Sequence, residues 1–337
     1  MKNKITLSTV AVVFMLQSCV PTKDLNVVKL TSPQVTASAK ELVRITDDVV
    51  AEFQPSLSPN GKKLLYVIRD DANDNYNKWS IRLKNDVMLP GFTPLIGNKT
   101  DRPSWIDNEN FIFTYYASKP TIAVTSTNKL GLTYIGQNAY GDFDADASVS
   151  PDGKKIVLTT TLQDSRNICL VNRDGSSFTV LSEGINPKWS PKGDKLLYTK
   201  LSGDFYQLFE LDLKSFQSTQ ITTGEQHSTN GAYSPDGKHI VFIGTKDKFS
   251  HLFVMKINGT SLTQITSGSS NETQPFWGVD GNIYFSSTAG ARQPEKLNNL
   301  KFSNLYVRTT NNSIAQEQSA FSYPFTDIWR VQPLIVD

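Results

Sequence analysis

Three histidines, two cysteines and two acidic clusters are the side chains of this sequence best suited to metal binding or catalysis. Asp142, Asp144 and Asp146 alternate along one stretch. Alternating carboxylates can offer Ca²⁺ several of the oxygens it needs, although the glycine and distal glutamate of an EF-hand loop are missing here. Asp70, Asp71, Asn73, Asp74 and Asn75 form the second cluster. His227, His239 and His251 are the whole imidazole supply, too few for a multi-histidine metal centre. No Gly-x-Ser-x-Gly segment occurs, so the serine turn of α/β-hydrolases has no counterpart. Cys169 stands in the apolar run Asn167-Ile168-Cys169-Leu170-Val171 and reads as a buried, inert thiol. Non-covalent recognition is therefore expected rather than an enzymatic reaction, with no cofactor and with Ca²⁺ at Asp142, Asp144 and Asp146 as the weak metal candidate.

What positions these residues is a repeat. Ser58-Pro59-Asn60-Gly61-Lys62-Lys63 returns as Ser150-Pro151-Asp152-Gly153-Lys154-Lys155, Ser190-Pro191-Lys192-Gly193-Asp194-Lys195 and Ser234-Pro235-Asp236-Gly237-Lys238-His239. Degenerate copies begin at Ile106 and Gly278. Counted from the serine position the spacings are 48, 44, 40, 44 and 44 residues. A period in the forties with constant strand and turn signals marks a propeller or a similar array. In each unit a short strand ends at Leu57, Trp105, Val149, Trp189, Tyr233 or Trp277. A Pro-Asp-Gly-like turn follows, in which proline presets φ and glycine accepts positive φ. A β-branched and aromatic strand comes next, then a third strand, a hairpin such as Asp174-Gly175 or Asn258-Gly259, and a polar fourth strand.

Four antiparallel strands per unit predict an all-β fold, a six-bladed β-propeller. The third strand of the last unit is placed at Leu305–Arg308, after which no fourth strand is visible. Leu42-Val43-Arg44-Ile45-Thr46 is a spare fourth strand that looks like Thr219-Gln220-Ile221-Thr222 and Thr263-Gln264-Ile265-Thr266. The N-terminal strand should thus complete blade six and close the ring. This gives a propeller over residues 42–310 and a C-terminal tail over 311–337 that packs along its side. The recurring Trp105, Trp189, Tyr233 and Trp277 are expected to pack between blades, because a residue fixed in the repeat serves the fold.

The pattern of proline, a spacer, tryptophan and then Ser-Pro-Asp-Gly-Lys resembles the TolB-type, WD40-like propeller repeat (PD40). Leu262–Gly268 leading into Thr273-Gln274-Pro275-Phe276-Trp277 is similar to that family's blade junction. The α/β domain that precedes the propeller in TolB has no counterpart, so TolB's own role is not carried over. The resemblance implies a channel whose rim holds a protein segment. The loops leading into the blades place Asp47, Asp48, Glu52, Asp101, Arg102, Asp142, Asp144, Asp146, Asn186, His227, Asn230, Asn271 and Glu272 at that rim. A small-ligand or glycan site, with Ca²⁺ or weak hydrolase or lyase activity, is the alternative. The longer loop Ala291–Lys301 in blade six is a further contact surface.

Residues 1–18 carry Lys2, Lys4 and a short apolar run, the form of an export signal. Leu16-Gln17-Ser18-Cys19 resembles the lipobox of bacterial lipoproteins, which implies an acylated Cys19 as the mature N-terminus. Residues 19–41 then read as a tether. Val20 in place of aspartate points to the outer membrane. Cleavage would remove two of the 34 basic side chains and none of the 32 acidic ones, leaving a formal charge of zero. With no long basic run, a nucleic-acid partner is excluded. The expected protein is a monomeric propeller on the periplasmic side of the envelope, held by its lipid and bound to an envelope protein.

Overall fold

The repeated turn folds through its serine. In the computed structural model Ser58 Oγ donates to Asn60 Oδ1 at 2.8 Å and accepts the Lys63 amide at 2.9 Å. Ser150 and Ser234 do the same with Asp152 and Asp236, both at 2.6 Å. In blade four a lysine fills the aspartate position, and Ser190 turns to Asp194 at 2.8 Å. Gly61, Gly153, Gly193 and Gly237 close these turns at φ of 71 to 73°, a region that favours glycine. The turn aspartates thus serve the fold.

The structure describes residues 33–46, 51–69, 79–129, 131–136, 139–246, 249–289, 306–308, 314–316 and 327–335. Around the turns the chain builds six antiparallel four-stranded blades. Blade one is Ala51–Leu57, Leu64–Arg69, Trp79–Lys84 and Thr93–Ile96, and blade two is Thr100–Trp105, Asn110–Tyr116, Pro120–Ser126 and Thr133–Tyr134. Blade three is Asp144–Val149, Lys155–Leu162, Ser165–Asn172 and Thr179–Glu183, and blade four is Ile185–Trp189, Lys195–Ser202, Phe205–Asp212 and Ser218–Gln220. Blade five is His227–Tyr233, His239–Lys246, Phe249–Lys256 and Thr263–Gln264.

Blade six joins the two ends of the sequence: Glu272–Trp277, Ile283–Ser287, Asp327–Pro333 and Ala39–Arg44. The closing N-terminal strand is where the sequence put it. Ile45 donates to the Ile328 carbonyl at 2.8 Å and Thr46 Oγ1 accepts the Ile328 amide at 2.9 Å. Ile221 and Thr222 treat Leu208 identically, and Ile265 and Thr266 treat Leu252 identically. Thr46 is therefore the fourth-strand threonine of blade six.

Two boundaries change. The third strand of blade six is Asp327–Pro333, in register with Ile283–Ser287 through Ile283↔Val331 and Ser287↔Asp327, and not Leu305–Arg308. Tyr306–Arg308 instead pairs with Ile314–Gln316 in a separate two-stranded ladder. Ile328, Trp329 and Val331 supply the buried side chains that the third strand owes the core. The tail thus belongs to the ring. At the other end, Gln34–Val35 pairs with Thr266–Ser267 on blade five, and Thr36 Oγ1 donates to the Gln264 carbonyl at 2.7 Å. Leu334 donates to the Ser38 carbonyl at 2.8 Å, standing where a covalent hairpin joins strands three and four of the other blades. Residues 34–41, expected in the tether, are part of the closure. An amphipathic edge left by an open ring would otherwise expose its hydrogen-bonding groups.

The core lies between blades. Phe53, Leu65 and Val67 of blade one meet Trp105, Phe111 and Phe113 of blade two in one buried cluster. Trp105 Nε1 donates to the Ser56 carbonyl at 2.8 Å and Trp189 Nε1 to the Ser148 carbonyl at 2.9 Å, each reaching the preceding blade. Trp277 packs with Ala232, Val241 and Ile243 of blade five. The aromatic positions thus hold blade to blade, as their repetition implies.

Candidate functional site

The first strand of each blade is its free inner edge. In all six the register slips by a β-bulge, between Phe53/Ser56, Asp101/Ser104, Ala145/Ser148, Ile185/Lys188, Thr229/Ala232 and Thr273/Phe276. Each bulge holds one residue at φ of 51 to 56°: Gln54, Arg102, Asp146, Asn186, Asn230 and Gln274. Bulges re-aim side chains, and non-glycine residues at positive φ tend to mark functional places. All six side chains here are polar.

They bond to one another around the axis. The Gln54 amide donates to Gln274 Oε1 at 3.0 Å, and the Arg102 amide to Gln54 Oε1 at 2.6 Å. Arg102 Nη1 reaches Asp146 Oδ1 at 2.8 Å. The Asn186 amide nitrogen, turned to suit both neighbours, donates to Asp146 at 3.0 Å, and its other end meets the Asn230 amide at 3.0 Å. These contacts link five of the six neighbouring pairs of inner strands, running from Gln274 through Gln54, Arg102, Asp146 and Asn186 to Asn230. The result is a polar belt two residues inside the mouth.

Charge in the belt is concentrated at blades two to four. Arg102 Nε also donates to Asp101 Oδ2 at 3.1 Å, and Tyr116 Oη to the same oxygen at 2.9 Å. Burial raises the pKa of Asp101, while the Arg102 guanidinium and the Tyr116 hydroxyl pull it back. Lys188, two residues beyond the bulge in blade four, is pushed down by burial; Asp146 opposes the shift and Arg102 adds to it.

Arg102, Asp146, Asn186 and Asn230 of the expected rim are therefore brought together. Glu52, Asp101, Asp144, Asn271 and Glu272 are buried, not displayed on the rim. Asp144 accepts the Tyr140 amide at 2.6 Å, the Gly141 amide at 3.2 Å and the Thr160 hydroxyl, which folds the loop ahead of blade three. Glu272 accepts from Thr266 Oγ1 at 2.9 Å and Ser287 Oγ at 2.8 Å, and pairs with His251 Nδ1 at 2.8 Å. Asn271 Oδ1 caps the Ser250 amide at 3.0 Å. These polar groups are consumed within the ring, Asp144 by its own loop and blade and Asn271 and Glu272 largely by the neighbouring blade five, because a buried carboxylate has to find donors. Asp47, Asp48, Cys19, the Asp70–Asn75 cluster and the Ala291–Lys301 loop lie outside the described residues.

The Asp142, Asp144 and Asp146 carboxylates do not converge. Asp142 is exposed and pairs with Lys119 at 2.9 Å, Asp144 turns to its loop, and Asp146 joins the belt. Among the described residues, no group of three or more His, Cys, Asp or Glu side chains is arranged to hold a metal. The histidines are engaged separately. His227 Nδ1 accepts the Tyr206 amide at 3.1 Å, and burial lowers its pKa. His239 packs beside the Trp277 ring. Cys169 is buried and its thiol is pushed up to about 12 by burial, with Asp144 adding. Gln54 and Gln274 were missing from the sequence-derived rim. Their signal was the repeat itself, since each stands 44 or 48 residues from the neighbouring member of the belt.

Blades of four strands, a two-ended closure and a polar inner belt define a six-bladed β-propeller. Residues 183–313 match the family model of the TolB beta propeller domain, and the chain is TolB-like in fold and repeat. TolB from Acinetobacter baumannii superposes with a TM-score of 0.59 at 19% identity, over 67% of this chain and 56% of that one. The match thus spans little more than half of that protein. Oligogalacturonate lyase from Vibrio parahaemolyticus gives 0.52 at 13% identity, over 89% and 97% of the two chains. A chain of the nidogen/laminin complex gives 0.53 at 11%, over 65% and 81%. At these identities the likeness is one of fold. Among curated proteins, none matches the sequence.

Proposed function

We propose that this chain is a non-enzymatic cell-envelope lipoprotein whose propeller holds a segment of a protein partner at the belted mouth of its channel. The observation that carries the reading is the belt: one repeat position on the inner strands, six polar side chains of four different types at one backbone conformation, five neighbouring pairs of them in contact. A folding role alone would favour one residue type, as at the turns, where serine stands in four of the six blades. Amides, a guanidinium and a carboxylate in a ring can pair with the main chain and polar side chains of an inserted peptide. The lipobox at Cys19 and the TolB-like repeat support an anchored protein on the periplasmic side, with the outer membrane favoured by Val20.

The test is capture from living cells by crosslinking and affinity purification of the protein carrying Cys19. A dominant envelope protein, lost in Arg102→Ala and Asn230→Gly, supports the reading. Recovery of no specific protein overturns it. A second reading, a small anionic ligand in the channel, rests on two cations on the inner strands, Arg102 at the bulge of blade two and Lys188 two residues past the bulge of blade four. It predicts thermal stabilisation by small carboxylates or acidic sugars, abolished by Lys188→Met.

A further inference from the structure

The hairpins between third and fourth strands form a second set of equivalent positions. Those of blades three, four and five carry Asp174-Gly175-Ser176, Lys214-Ser215 and Asn258-Gly259-Thr260, and each is followed by one exposed apolar residue, Phe178, Phe216 or Leu262. Blade one departs from this. Its hairpin reads Met88-Leu89-Pro90-Gly91-Phe92, with Met88 51%, Leu89 59% and Phe92 40% exposed. Leu132 and Tyr134 in blade two and Leu334 and Ile335 in blade six are also exposed, and Phe92 lies under the Arg82 guanidinium at 3.8 Å. Among the described residues of these hairpins, however, only blade one carries two adjacent apolar side chains more than half exposed, Met88 and Leu89, and such a pair needs a destination.

The backbone of the tip is prepared for an apolar one. Met88 N donates to Asp86 Oδ1 at 2.9 Å and Leu89 N to the Asp86 carbonyl at 3.3 Å, while Pro90 has no N–H. The buried Lys84 ammonium reaches up from below to the Leu89 carbonyl at 2.6 Å and the Gly91 carbonyl at 3.4 Å. Lipid offers no hydrogen bonds, so a segment that enters it must satisfy its polar atoms internally. The base of the hairpin is fixed, since Val87 is buried in one cluster with Ile45, at the end of the N-terminal closing strand. The tip thus stands beside blade six, which receives the N-terminal strand, since the same cluster includes Tyr284 and Ile328. Between Cys19 and Pro33 lie thirteen residues, enough for the two ends to stand about 50 Å apart when extended.

We propose that the Met88–Phe92 tip dips into the lipid surface to which the chain is anchored, so that lipid anchor and hairpin together fix the orientation of the propeller on the membrane. The inference rests on the anchored-envelope reading above. The experiment is arranged so that the two can fail separately. Leu89→Cys is labelled with an environment-sensitive fluorophore in a Cys19→Ser background; Cys169, buried and with its thiol pushed up to about 12, does not compete for the label. A hexahistidine insert after Val20 holds the full chain on vesicles of phosphatidylethanolamine, phosphatidylglycerol and a nickel-chelating lipid, whatever the fate of Cys19. Emission at position 89 should shift to the blue and rise several-fold on vesicles, and the same label at Asn258→Cys should not respond. On vesicles sparse in nickel lipid, Leu89→Asp should leave about tenfold faster with an unchanged melting curve. Equal emission at both sites overturns the proposal. So does a blue shift that depends on protein concentration and needs no vesicles, which would assign the tip to a second copy of the chain. An intact mass of the wild-type protein without acyl groups would overturn the anchor and leave the tip to be judged by its own result.

Discussion

Two rings run round this propeller, and each places one residue in every blade. At the far end of the first strands lies the ring of turn serines, which keeps its identity at Ser58, Ser150, Ser190 and Ser234, and keeps its bonds as well. Two residues inside the mouth lies the belt, which keeps its backbone conformation and a polar character while its residues differ: glutamine, arginine, aspartate, asparagine. At the turns serine returns in four of the six blades, with Ile106 and Gly278 in the other two, and the demand comes from folding. At the belt, where conformation is constant and residue type varies, the proposed reading gives the blades separate tasks against something that lacks sixfold symmetry. A peptide segment is such an object.

The largest expected effect breaks the frame that carries both rings. Removing residues 327–337 takes the third strand out of blade six, and the protein should lose its cooperative urea transition; retention of that transition would contradict the closure. Trp329→Ala, at a buried position of the same strand, should cost about 3–5 kcal/mol in urea denaturation. The next effects separate the rings. Asn186→Gly and Asn230→Gly keep the left-handed backbone and delete the belt side chains. Each should weaken partner binding about tenfold, equivalent to about 1.4 kcal/mol, with a stability change under about 1 kcal/mol. Ser234→Ala should do the reverse. It strips the His239 amide and Asp236 of their partner, which should cost about 1–2 kcal/mol of stability. Partner capture should be unchanged. A turn variant that lost the partner at full stability would erase the distinction between the rings.

The smallest effect is a pH dependence. Burial holds the His227 pKa below its ordinary 6.5, so the unfolded chain takes up its proton first as pH falls. The contribution of neutral His227 is complete above about pH 6.5 and fades as pH drops through the lowered pKa. Urea midpoints should decline between pH 7.5 and 5, and less steeply in His227→Gln.

Much of this was legible in the sequence. The Ser-Pro-Asp-Gly turns, the blade count and the closing strand at Leu42–Thr46 all follow from local chemistry that repeats. The third strand of blade six was misplaced because two segments fit its pattern. Asn304-Leu305-Tyr306-Val307-Arg308 lies nearer in sequence, whereas Asp327-Ile328-Trp329-Arg330-Val331-Gln332 matches Gln207–Asp212 and His251–Lys256 and fills the core. Loop length chose the first, and packing chose the second. At the rim, polarity alone could not separate Glu272, which is buried against blade five, from Gln274, which two residues later reaches the first strand of blade one. That distinction arises from the bulge, a register slip that local sequence does not announce. The position is nevertheless visible in the sixfold spacing once the repeat is aligned.

The central claim is that the mouth side of the channel recognises a protein and the turn side does not. A photo-crosslinking amino acid placed in living cells at Glu225 and Ser269, exposed in the loops ahead of blades five and six, and at Asp152 and Asp236 in the turns, tests it directly. The account predicts one discrete crosslinked envelope protein from the first pair and none from the second. The same adduct from both pairs, or from the turns alone, would contradict it.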